Sequence, residues 1–183
     1  MDTTTIIAIV VVAAVAVLLA GLAVMLMKRR KTSELASRYG TEYERAVKRQ
    51  GRRKAEADLT KREQRVSSYS IRHLEPAERA QFSDRWTSVQ AEFVDAPRTV
   101  VQHADVLLQE VMVARGYPVA DFDQRVEDLS VEYGDLVRNY RSAQTISLRA
   151  STASTEDLRH AMLLYRTMFE TLMKAEEPAT AAI

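Results

Sequence analysis

The pattern of apolar residues changes character twice along the chain. No charged side chain occurs from Ile6 to Met27; apolar residues are then sparse to about Ser68; beyond Pro76 they recur every three or four positions. Twenty-two uncharged residues make a helix of about 33 Å, enough to cross a bilayer core of about 30 Å. The first segment therefore reads as a membrane span.

Two other readings compete with it. A cleaved signal peptide carries its basic residues before a shorter apolar core, whereas here only Asp2 precedes the run and Lys28-Arg29-Arg30-Lys31 follow it. Ala14-Val15-Ala16 and Ala20-Gly21-Leu22-Ala23 have the small residues of a cleavage site, which keeps that reading open. A buried core helix without any polar face would need a larger globule around it. With four basic residues on one flank and none on the other, the bias of Lys and Arg toward the cytoplasmic side places the N-terminus outside. The rest of the chain then lies in the cytoplasm, at the inner membrane. Lys28, Arg29, Arg30 and Lys31 would meet anionic lipid headgroups, each worth roughly 1 kcal/mol near such a surface.

Residues 32–69 predict a basic, largely solvated helical connector. Leu35, Tyr39, Tyr43 and Val47 follow helical spacing, Thr41-x-x-Glu44 has the form of a capping box, and only Leu59 and Val66 continue the stripe. Lys48-Arg49-Gln50-Gly51-Arg52-Arg53-Lys54 is polar on every face. Heptads are too brief for a coiled coil.

Residues 70–175 predict an antiparallel bundle of four or five helices. Pro76 opens a helix whose stripe is Phe82, Trp86, Val89 and Phe93; Asp95-Ala96-Pro97 ends it and starts another, faced by Val100, Ala104, Leu107, Leu108, Val111 and Met112. Gly116-Tyr117-Pro118 closes that helix. A short helix through Phe122, Val126 and Leu129 precedes one using Tyr133, Leu136, Val137, Tyr140 and Ala143, with Gly134 between them. Thr155-Glu156-Asp157 begin the last, lined by Leu158, Ala161, Met162, Tyr165, Met168, Phe169 and Leu172. The fold class is all-α: a span in residues 1–31, the connector, the bundle and a frayed tail over 176–183.

Charge sharpens this division. Residues 28–65 hold 14 Lys/Arg against 6 Asp/Glu, while residues 66–183 hold 12 against 18. A chain basic in one zone and acidic in the next has two functional parts. Basic runs also serve nucleic-acid binding, but no aromatic stacking platform is interleaved here, which argues against that partner.

Most catalytic chemistry lacks its residues. The chain has no cysteine, hence no thiol nucleophile or thiolate metal site, and its five scattered glycines build no P-loop or dinucleotide fingerprint. Asp157-x-x-His160 places a carboxylate and an imidazole on one helix face, but a di-iron bundle needs two Glu-x-x-His motifs and two further carboxylates. The pair reads better as a helix-start charge interaction, and His103 as a surface polar residue. No cofactor or catalytic residue is expected, although a sensor or enzyme with a small-molecule or metal pocket stays open as an alternative. Tyr133, Tyr140 and Tyr165 read as core before they read as a groove. Arg115 and Tyr117, in a turn on a rigid scaffold, are the expected partner surface.

Arg115-Gly116-Tyr117-Pro118-Val119, Asp121-Phe122-x-Gln124-Arg125, Asp128-Leu129-Ser130-Val131 and Ser154-Thr155-Glu156-Asp157-Leu158-Arg159 resemble a family of uncharacterised bacterial proteins with an N-terminal apolar anchor and a helical C-terminal half, often called hypothetical or "secreted". The resemblance spans roughly residues 35–175 and implies a shared helical fold without assigning an activity. The functional expectation is a single-pass membrane protein whose cytoplasmic helical domain binds another protein or itself. A structural tether contacting anionic lipids is a further alternative.

Overall fold

In a computed structural model, the described residues are 3–174 for the backbone and 15–174 for side chains. Among them the chain is all-α, with eight helices and no strand. It divides into two compact units, Met1–Arg38 and Tyr39–Ile183. The tail expected over 176–183 lies outside the described residues.

The first unit is one helix, α1 (Thr3–Tyr39), which ends one residue into the second unit. No helix among the described residues is long and apolar enough to cross a membrane. Of the expected span, only Val15 to Met27 falls where side chains are described; that is about 20 Å of helix before Lys28. Val17, Leu18 and Met27 are more than two-thirds exposed, and Lys28 to Lys31 are exposed together one turn further on.

The second unit contains α2 (Thr41–Gln50), α3 (Arg52–Ser67), α4 (Pro76–Glu92), α5 (Pro97–Ala114), α6 (Phe122–Tyr133), α7 (Val137–Ser147) and α8 (Thr155–Lys174). Helix α8 packs between α5 and α7; α4 covers α5, and α3 joins α2 to α6. The inward stripes of α5 and α8 are the ones the spacing predicts: every residue of both is buried. Trp86 stacks on Phe169 with ring centroids 4.6 Å apart, which ties α4 to the last helix. Phe82 is buried as well, whereas Val89 and Phe93 are only partly covered.

Residues 39–69 depart from the expected solvated connector. Gly51, at φ 79°, turns α3 back on α2, and Ala55, Leu59, Arg62 and Val66 form a buried stripe. Arg62 occupies a core position because acceptors surround it. Its guanidinium donates to Asp58 (2.7 Å), Ser130 (3.3 Å), and Glu42 and Glu127 (3.5 Å each). Residues 70–174 hold the five helices α4–α8 expected of the bundle, and α2 and α3 belong to the same compact unit, which therefore has seven helices among the described residues.

Three helix starts carry local side-chain caps. Glu75 and Glu78 form a capping box before Pro76, Asp121 accepts from Gln124 N, and Ser154 and Asp157 cap α8 reciprocally. Hydrogen bonds from Arg72, and then from the Glu75 backbone, pull the Glu78 carboxyl down to about 2. Helix α2 is capped from a distance instead. Thr41 makes no capping box with Glu44; its N–H and hydroxyl donate instead to Asp135 Oδ1, at 3.1 and 3.3 Å.

Candidate functional site

Among the described residues, a groove and a cleft on the second unit can each receive a ligand. The first is a groove of about 380 Å³ between α4 and α5. Val89, Val106 and Leu107 give it apolar walls, while Arg85, Ser88 and His103 stand at its polar margin. Val106 is half exposed, since the face of α5 opposite the core turns it outward. Arg85 is ion-paired with Glu110 across the two helices, and His103 Nδ1 lies 3.5 Å from Glu92. The groove thus has an uncharged floor, and the Arg85 charge at its margin is already paired with Glu110.

The second is a cleft of about 350 Å³ where α2 meets α7. Two glycines allow that meeting. A Cβ on Gly134 would lie 2.5 Å from the Tyr39 carbonyl oxygen, and one on Gly40 would lie 2.3 Å from Asp135 Oδ1. The turns at residues 39–41 and 134–136 therefore interlock, and the first turns of the two helices come side by side. Glu42 and Arg45 project from α2, and Arg138, Arg141 and Ser142 from α7.

At its floor, Arg141 grips the buried Glu42 carboxylate with two hydrogen bonds of 2.6 and 3.0 Å. Arg62 approaches the same carboxylate from below at 3.5 Å, and Arg45 from the rim at 3.9 Å. One negative charge is thus shared among three cations. Burial, and next the repulsion from Arg141, pulls the Arg45 guanidinium below its ordinary value. Arg138 is exposed and its guanidinium makes no hydrogen bond or ion pair among the described residues.

The expected partner surface at Arg115 and Tyr117 is enclosed instead. Arg115 is fully buried and Tyr117 only 2 % exposed. Gly116, at φ 93°, presses this turn against residues 70–71, where a Cβ would come 2.2 Å from the Ser70 carbonyl oxygen. The Arg115 guanidinium donates to the Arg72 carbonyl (3.3 Å), Tyr133 hydroxyl (3.1 Å) and Leu172 carbonyl (3.2 Å). The side chain is an internal clamp across three segments, so it offers nothing to a partner.

Tyr140 and Tyr165 are also core residues, beside the buried Asp105. Gln109 Nε2 donates to Asp105 Oδ2 at 2.8 Å, while Oδ1 is buried without a hydrogen bond. Burial raises the Asp105 carboxyl above its usual value against the pull of Arg125. His160 is exposed, and Asp157 is engaged by Ser154 through its N–H and hydroxyl. No cluster of three or more His, Asp or Glu with metal-binding geometry occurs among the described residues.

No family model, curated protein or solved structure matches the chain.

Proposed function

We propose that this is a single-pass inner-membrane protein whose cytoplasmic helical unit binds a partner protein or a second copy of itself through the α4–α5 groove. The observation that carries the reading is the apolar wall where half-exposed Val106 and partly covered Val89 stand over the buried Leu107, since such a surface gains from being covered by another chain. The anchor in this proposal is Ile6–Met27. It rests on the length and apolar composition of the run and on the one-sided flank of Lys28, Arg29, Arg30 and Lys31. Those four residues contact anionic headgroups in the same arrangement. The likeness to anchored helical proteins of unknown function points the same way.

Photo-crosslinking in native membranes tests the groove. A crosslinker replacing Val106 should trap one discrete adduct, and Val89→Glu should abolish it without lowering the melting temperature. An adduct unaffected by Val89→Glu would remove the groove as the contact. For the anchor, a reporter active only after export, fused behind Ile183, should stay silent, and neutralising Lys28 to Lys31 should disturb that orientation. An active reporter on the parent chain would overturn the topology.

A further inference from the structure

We propose that the cleft between α2 and α7 binds a dianionic phosphate group, held by Arg45 and Arg138 at its rim over the Arg141–Glu42 pair at its floor. The argument begins with charge. Arg45, Arg138 and Arg141 line the cleft with Glu42 as their one carboxylate, an excess of two positive charges. A phosphate monoester carries about two negative charges near neutral pH, so it matches the excess where a carboxylate would leave half of it.

Neither nearby acid can move in to cancel that excess. Glu42 is buried and held on both oxygens by Arg141. Asp135, at the cleft's edge, is fixed by the Thr41 N–H and hydroxyl, and the missing side chain of Gly40 leaves it the room it occupies. Both carboxylates act as struts, one orienting Arg141 and the other holding α2 against α7. The rim guanidinium groups sit on exposed helical positions of a packed pair, and the exposed Ser142 hydroxyl lies on the same wall.

The chemistry suits the geometry. A guanidinium presents several N–H donors in a plane that pairs with tetrahedral oxyanions in a bidentate manner, and such charge-assisted bonds are stronger than neutral ones. Arg141 has its fork turned to Glu42, so it contributes field, while Arg45 and Arg138 have donors to offer. Burial first, and then repulsion from Arg141, holds the Arg45 guanidinium below its ordinary value, and a bound anion would relieve the second. A cleft of about 350 Å³ holds a phosphate with a small esterified group and stands at the lower end of ligand-pocket sizes. The phosphate can belong to a soluble ester or to a lipid headgroup; the recognition chemistry is shared.

The test uses the full chain in neutral detergent. Inorganic phosphate, pyrophosphate and acetate are titrated by calorimetry at matched ionic strength, against the parent and the Arg45→Gln/Arg138→Gln variant. In parallel, binding to phosphatidylcholine vesicles with and without phosphatidic acid is compared for the two proteins. The expected result is binding of at least one phosphate form, in solution or in vesicles, that acetate does not reproduce and that weakens about ten-fold or more in the variant. Loss of free-phosphate binding assigns a soluble ligand; loss confined to phosphatidic acid vesicles assigns a headgroup. Should the double variant melt lower than the parent, Arg138→Gln alone carries the comparison, because that side chain has no partner to lose. Absence of phosphate binding in every form, equal binding of acetate, or undiminished binding by the variant would each overturn the proposal.

Discussion

Asp135 caps the helix that begins at Thr41, taking the Thr41 N–H at 3.1 Å and its hydroxyl at 3.3 Å from 94 residues away in the sequence. A carboxylate at a helix N-terminus normally comes from the neighbouring chain, where it satisfies an orphan N–H and complements the helix dipole. Here the same two contacts also lock α2 to the start of α7, so local and tertiary stabilisation coincide in one side chain.

Removing that carboxylate should lower stability by about 1 kcal/mol, the usual worth of a cap, with Asp135→Asn losing less than Asp135→Ala because an acceptor oxygen remains. Gly134→Ala should cost more than either. Its Cβ would meet the Tyr39 carbonyl oxygen at 2.5 Å and the Tyr39 Cα at 2.8 Å, and backbone atoms cannot rotate aside. Denaturant unfolding of the three variants checks the order. Gly134→Ala as stable as the parent would show that the turns do not interlock.

Trp86 carries a second prediction. Its ring is buried and stacked on Phe169, yet its Nε1 is enclosed without a hydrogen bond. Trp86→Ala should cost roughly 3–5 kcal/mol through the cavity it leaves. Trp86→Phe should cost far less, because it keeps an aromatic face against Phe169 and removes an unsatisfied donor. Thermal melts separate the outcomes; equal losses for the two would mean that stacking contributes little.

Asp105 supplies a pH dependence. Burial raises its carboxyl in the folded state, so the native protein binds this proton more readily than the unfolded chain does. Stability from this group is then complete below the unfolded value of about 3.9. It is lost as pH rises through the folded value, beyond which a charged carboxylate is held in the core. Asp105→Asn should therefore melt higher than the parent at pH 7 and coincide with it in acid. A variant less stable than the parent at neutral pH would show that the ionised carboxylate is favourably held.

The stripes of α5 and α8 could be read from the sequence because their spacing, their prolines and their capping residues all agree. Arg62 could not. A charged residue within a run of polar ones reads as solvent-facing, and the groups that make its burial tolerable include Glu42, Glu127 and Ser130, which are remote in sequence. Removing one member of such a buried set usually costs more than the set contributes over an apolar alternative, and no local pattern encodes that. Arg115 and Tyr117 misled for the opposite reason. Their turn is tightly specified, as the string implied, but Gly116 directs it inward onto Ser70. The α2–α7 cleft left one trace in the sequence, the Arg138 and Arg141 pair one turn apart; its opposite wall depends on Gly40 and Gly134 meeting across the chain.

The reach of Asp135 also sets an order of events in time. On the ribosome, α2 and α3 emerge with about five cations between Lys48 and Lys54 and no cap for Thr41. The residues that complete them, from Glu127 to Arg141, follow more than sixty positions later. At roughly 5–20 residues per second, this basic hairpin waits for several seconds with Arg62 and Glu42 still open to water. Whatever anionic surface lies beside the nascent chain meets that hairpin before its own partners do. Folding of the unit then amounts to a competition for α2 and α3 that Asp135, Glu127 and Arg141 must win on arrival.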